Sequence, residues 1–252
     1  MINERIEDNI VIAVFEHGKN NSITLETLRQ LKAIVRKVND DVCLKGIVFT
    51  GAGKAFSDGF DLPMFLGFKD VEEVIAFFNE EEEILLDLFM CSKPVIAAIN
   101  GHAVAAGMIV SMACDYRIVK DHPRIKIGMS EIKIGLPLSV AQTEIMRFGL
   151  DSDRKYRDIM YFGAMLDVIK ARELGVVDEV VEEERLIPRA KEIVCTFIDN
   201  PGRAFIKLKE GLKKPTADRI RMRLSAENWR ESLAFFFDKD VRSTLEFVQK
   251  MR

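Results

Sequence analysis

The sequence predicts an α/β protein in which strand, strand and helix recur, followed by a zone of helices alone. Three observations carry that prediction. Apolar runs of strand length end in glycine turns, as in "IVFTGAG" and "VIAAING"; segments with apolar residues at helical spacing lie between them; and strand patterns cease from about residue 196. With 252 residues and 48% hydrophobic content the chain can bury a substantial core, so one main domain with an appendage is expected.

Taken in order, "NIVIAVFEH" reads as the first strand. The helix in "SITLETLRQLKAIVRKVND" spaces Leu25, Leu28, Leu31, Ile34, Val35 and Val38 along one face, with Ser22 or Thr24 as its cap. "LKGIVFTG" is a buried strand. A second helix runs through "DVEEVIAFFNEEEEILLDLFMCS", and Lys93-Pro94 ends it before the strand "VIAAING". Within that helix, Glu80 to Glu83 read as a solvated face. Next come a small-residue run that becomes a helix ("HAVAAGMIVSMAC"), the strand "DYRIV", a strand around "IKIGMSE" and a helix through "SVAQTEIMRFG". Beyond residue 196, "PGRAFIKLKEGLKK" and the segment from Arg219 onward read as helices. Trp229, Phe235, Phe236, Phe237 and Phe247 there form an aromatic stripe suited to helix packing or a subunit interface.

Composition excludes several classes. A formal charge of -3 argues against a dedicated nucleic-acid binder, which concentrates Lys and Arg to replace counterions. Cys43, Cys91, Cys114 and Cys195 form no CxxC pair and lie in largely apolar surroundings, so reduced core thiols are expected. Three scattered histidines make no metal site. The N-terminal stretch carries acids and lacks a cleavage pattern, and no run reaches membrane-spanning length, so a cytoplasmic protein with no membrane partner is expected.

"IVFTGAGKAFSDGFDL" fits neither phosphate-binding pattern. A Walker loop needs four residues between its first glycine and Gly-Lys-Ser/Thr, whereas only Ala52 separates Gly51 from Gly53, and Ala55 follows Lys54. The dinucleotide pattern fails at Phe56. A second strand and glycine turn, "KPVIAAINGHAVAAG", leads into a helix whose first amides lack partners. Two sources of exposed backbone amides suit the binding of an oxyanion.

The stretches "TGAGKAFSDGFDL", "KPVIAAINGHAVAAG" with "CDYRI", "IGMSEIKIGL" and "ARELGVVDEVV" resemble the crotonase superfamily, the enoyl-CoA hydratase and isomerase group, over nearly the whole chain. The resemblance implies a spiral core of β-β-α units over residues 1–195 and a helical oligomerisation region over 196–252, giving a homotrimer or a dimer of trimers. It implies an acyl-CoA thioester substrate, coenzyme A being part of that substrate, with no separate cofactor and no metal. By position, the amides holding the thioester oxygen belong to Phe60 and Ala106. Residues implied to border the CoA or the substrate are Lys54, Ser57, Asp58, Leu62, Ala105 and Ile109. Met64, Phe65, Phe68 and the following helix would shape the tail pocket.

Such hydratases carry two glutamates. Here the first position is Ile109, the second matches Glu131, and the glycine-rich segment usual after it is replaced by "LPLSVAQ". Hydration needs water positioned and deprotonated while carbon is protonated, a task shared by two acids. Shifting a double bond from position 3 to position 2 needs one carboxylate, which moves a proton from C2 to C4. A 3-enoyl-CoA to 2-enoyl-CoA isomerase with catalytic Glu131 is therefore expected. The alternatives are a hydratase drawing its second acid from Asp58 or from residues 70–83, another acyl-CoA reaction of the same superfamily, or a silent acyl-CoA-binding protein. Asp58 otherwise bonds its own turn, and Asp61 caps the next short helix. His102 takes no direct chemical role. Lys207, Lys209, Lys213, Lys214 and Lys250 read individually as solvated and collectively as candidates for CoA phosphates.

Overall fold

The computed structural model describes residues 1–226 and 228–251. Two sheets meet at an angle set by the glycine turns. The first has six strands in the order β1 (Ile2–Glu7), β2 (Ile10–Phe15), β3 (Gly46–Gly51), β5 (Val95–Ile99), β7 (Tyr116–Lys120) and β10 (Glu179–Val181); only the β1–β2 pair is antiparallel. The second contains β4 (Ala55–Ser57), β6 (His102–Val104), β8 (Ile127–Gly128) and β9 (Met165–Leu166). Each turn of the spiral crosses from one sheet to the other, as β3 to β4, β5 to β6 and β7 to β8.

Strand alternation divides the core. Ile47, Phe49, Val95, Ala97 and Ile99 face a large cluster between the sheets and helices α1 (Leu25–Asp40), α3 (Val71–Phe89), α4 (Ala106–Ala113) and α6 (Val140–Leu150). Val48, Ile96 and Ala98 point the other way, onto helix α9 (Leu186–Ile198). Because both faces are covered, these strands read as unbroken apolar runs. The first strand, β1, was not foreseen: "INERIE" is largely exposed, and it pairs with β2 through backbone bonds that carry no apolar signature. Residue 195 falls inside α9, which continues to Ile198.

The helical zone contains α10 (Phe205–Ser225), a 3₁₀ helix (Asn228–Phe237) and α11 (Lys239–Met251). What reads as two helices around Pro215 is one; α10 runs through the proline and forgoes one backbone bond. Buried charge fixes it to the core. Lys209 and Lys213 reach the Asp115 carboxylate at 2.6 and 2.8 Å, and Arg219 and Arg223 both grip buried Glu144 at 2.6 Å. Lys209 and Lys213 are therefore buried and paired, not a solvated face. Lys207 and Lys214 are exposed and pair with Glu210 and Asp218.

Glu80 and Glu83 are tied to Arg29 and Lys32 on the surface of α1, but Glu81 and Glu82 are buried. The helical period turns these two inward onto α6, so the acidic run is not one solvated face. Among the cysteines, Cys91 and Cys114 are core thiols as expected; Cys43 is exposed and Cys195 half-buried. No helix among the described residues is long and apolar enough to cross a membrane.

Candidate active site

The two glycine turns converge. Asn100, from the Asn-Gly turn, accepts from Gly51 N at 2.8 Å and donates to Gly53 O at 3.2 Å, while Asn21 donates to Ala52 O and Ala55 O. One of these bonds takes up the Gly51 amide, and the others fix the carbonyls of the turn. The chain then leaves β4, and Gly59 adopts φ +94°. Ile23 bridges the next residue: its N–H donates to Gly59 O and its carbonyl accepts from Asp61 N. Bonds on that side alternate along an extended chain, so the Phe60 N–H points to the opposite side.

Beside it lies the start of α4. Ala105 holds φ +56° and ψ -128°, a sparsely populated conformation that costs about 1–3 kcal/mol, and no side chain caps the helix. The Ala106 N–H is among the first amides of that helix and has no partner within it. The Ala106 nitrogen sits beside Gly59, the residue before Phe60.

A cavity of about 70 Å3 lies beside these loops. Of the residues singled out from sequence for the site, Asp58, Phe60, Leu62, Phe65, Ala105, Ile109 and Glu131 line it, whereas Met64 and Phe68 do not. Glu131 opens the one-turn helix α5 (Glu131–Ile134), and its carboxylate accepts from Ser130 N at 2.8 Å, which fixes the side chain. Ile109, one turn along α4 from Ala106, presents hydrocarbon to the same cavity and is 2% exposed. Asp61 caps the short helix α2 (Leu62–Gly67) through Met64 N.

Three predicted site residues, Ala106, Ser57 and Lys54, are not part of this lining. Ser57 is fully buried behind the loop, its hydroxyl accepting from Gly59 N at 3.2 Å. Lys54 is exposed on a separate surface cavity of about 470 Å3, with His102 and Arg124. His102 serves the backbone, its Nδ1 accepting from Lys126 N at 3.1 Å.

Sequence reasoning did not assign Ser130, Ile134, Leu136, Pro137, Gln142, Phe236 or Val248 to the wall, whereas Phe78 lies on the helix expected to shape it. Phe236 and Val248 come from the C-terminal zone, which closes the cavity within the same chain. The Phe236 ring meets Phe65 and Phe78 at 5.1 and 5.4 Å, and Arg242 of α11 donates to Leu66 O at 2.7 Å. The aromatic stripe was the available signal. Phe235 and Phe247, from the same stripe, are exposed.

Gln142 belongs to a buried polar network at the start of α6. Its side chain and that of Ser139 form a reciprocal capping box. Glu82 accepts from Val140 N and Ala141 N at 2.6 Å each, and Glu81 accepts from Gln142 at 2.8 Å. Burial raises the Glu82 carboxyl to about 7. It raises Glu81 well above the usual carboxylate range, and the neighbouring Glu82 adds to that rise. The segment that departs from the hydratase pattern is thus a capped helix start anchored on two acids from α3.

The sequence model of the enoyl-CoA hydratase/isomerase family matches residues 5–251. This chain belongs to the enoyl-CoA hydratase/isomerase family. Human mitochondrial enoyl-CoA delta isomerase 1 is 27% identical over 248 residues, covering 96% of this chain and 80% of that protein. Crotonyl-CoA hydratase of Syntrophomonas wolfei is 25% identical over 252 residues, covering 95% of each. Among solved structures, human mitochondrial delta3-delta2-enoyl-CoA isomerase superposes with a TM-score of 0.90 at 24% identity, covering 99% of this chain and 97% of that one. An enoyl-CoA hydratase from Bacillus halodurans gives 0.85 at 20%, covering 98% and 99%. At these identities the structural likeness speaks to the crotonase fold. The family's two named chemistries both appear among the relatives.

Proposed function

We infer that this enzyme isomerises 3-enoyl-CoA thioesters to 2-enoyl-CoA thioesters. The observation that carries the reading is the pairing of Glu131 with Ile109 across one cavity: a held carboxylate on one wall and hydrocarbon where a second acid would stand. The thioester oxygen lies between the Phe60 and Ala106 amides. Glu131 takes a proton from C2, the electrons move into the dienolate with its charge on that oxygen, and the same proton returns to C4, leaving the double bond at position 2. Each preorganised amide is worth roughly 3 kcal/mol to such a charge. The human relative's name as an enoyl-CoA delta isomerase supports the assignment.

Asp58 on the cavity wall favours a second reading, hydration with Asp58 as the added acid. The test mixes purified protein with 3-hexenoyl-CoA and follows formation of the conjugated thioester, with Glu131→Gln in parallel. Isomerisation is expected from the intact enzyme and a loss of at least a hundredfold in the variant. Absence of conversion, with rapid hydration of 2-hexenoyl-CoA, would overturn the isomerase in favour of the hydratase.

A further inference from the structure

Gln142 is a polar group in an otherwise apolar stretch of the cavity wall, next to Phe78, Leu136 and Phe236. It is 3% exposed. Both ends of its amide are fixed by neighbours of known character. The oxygen accepts from the Ser139 backbone N–H at 3.0 Å, and the nitrogen donates to Glu81 Oε1 at 2.8 Å. A backbone N–H cannot accept, so the amide cannot flip. Glu81 is held in turn by the Ser139 hydroxyl at 3.4 Å.

An amide nitrogen carries two hydrogens, and the bonds among the described residues use one. The other belongs to a buried donor on a cavity wall, where leaving it without an acceptor is unfavourable. A purely hydrocarbon acyl chain offers no acceptor.

We propose that Gln142 determines specificity by donating this hydrogen to an oxygen on the acyl chain, so that the preferred substrates are acyl-CoA thioesters bearing a hydroxyl, ether or keto group beyond C4. This rests on the reading of the cavity as the acyl site. Glu81 acts through Gln142 as a positioning residue, keeping the amide turned so that its nitrogen faces the cavity.

Saturated analogues separate this inference from the reaction assignment, because they bind without turning over. Dissociation constants for hexanoyl-CoA, 5-hydroxyhexanoyl-CoA and 6-hydroxyhexanoyl-CoA are measured by calorimetry on the wild-type protein, Gln142→Met and Glu81→Gln. One hydroxylated ester binds the wild type about tenfold tighter than hexanoyl-CoA, as one hydrogen bond to a buried amide gives. Gln142→Met removes that preference and keeps the hexanoyl-CoA affinity. Glu81→Gln, which still offers an oxygen to Gln142, keeps it. Equal affinities in the wild type, or a preference that survives Gln142→Met, overturn the inference while leaving the isomerase reading intact. If 3-hexenoyl-CoA is not isomerised but the preference is present and lost in Gln142→Met, the reaction assignment fails and the inference stands. Should Gln142→Met not fold, the wild-type comparison decides alone; failure of every CoA ester to bind overturns both.

Discussion

A methyl group on Gly59 would lie 2.7 Å from the Cβ of Ala105 and 3.3 Å from the amide nitrogen of Ala106. The two loops that supply the candidate oxyanion donors are thus in contact through a missing side chain. Gly59 also sits at φ +94°, where a side chain adds strain. Gly59→Ala should push the loops apart and lower kcat/KM by about 10²–10³, the effect of losing one such donor. Ala105→Gly, which relieves the positive φ, should leave kcat/KM within a few-fold. Steady-state kinetics on both variants check this, and an unimpaired Gly59→Ala enzyme would remove the loop amides from the mechanism.

Ile109→Glu would place a second carboxylate one turn beyond Ala106. The expected outcome is a gain in hydration of 2-enoyl-CoA relative to isomerisation, read as the ratio of the two rates on one preparation. An unchanged ratio in a folded variant would mean that the hydrocarbon at this position does not select the chemistry.

Phe236→Ala removes a buried ring packed on Phe65 and Phe78. Such truncations cost about 3–5 kcal/mol. The opened cavity should also admit longer acyl chains, shifting the kcat/KM optimum upward by two or more carbons across a series of 3-enoyl-CoA esters.

Asp115 receives both Lys209 and Lys213 and also accepts from Val95 N at 2.8 Å. Asp115→Asn would leave two buried ammonium groups short of countercharge, a loss of about 3–5 kcal/mol. Urea titration measures it. The "CDYRI" stretch owes its aspartate to this clamp on α10.

Glu81 and Glu82 set a pH dependence. Both carboxyls are raised above 4.5, Glu82 to about 7, by burial first. Between those values the native state binds more protons than the unfolded chain. The stability they contribute is therefore full below 4.5 and is lost as pH rises, for Glu82 through about 7. Glu81→Gln, which cannot ionise, should flatten this decline and melt higher than wild type above pH 8. Thermal melts from pH 5 to 9 test it, and parallel curves would rule out the buried pair as the source.

The order of elements and the caps at Thr24 and Asp61 were legible in sequence, because each rests on local signals, and the crotonase architecture was legible through the resemblance of its motifs. Strand runs, helical spacing, glycine turns and capping side chains act over a few residues. The same holds for the position of Glu131, carried by a contiguous motif. What sequence alone left undetermined depends on facing partners. That Glu81 and Glu82 turn inward while Glu80 and Glu83 face solvent was decided by the seat of α3 between α1 and α6. That Lys209 and Lys213 are buried was decided by a carboxylate roughly a hundred residues away in sequence. The cavity's far wall, Gln142 and Phe236, joins segments whose proximity no periodicity encodes. Local chemistry determined which elements form and where the candidate carboxylate Glu131 sits; tertiary packing alone decided which charges lose water and which side chains close the cavity, because desolvation and contact depend on what lies opposite.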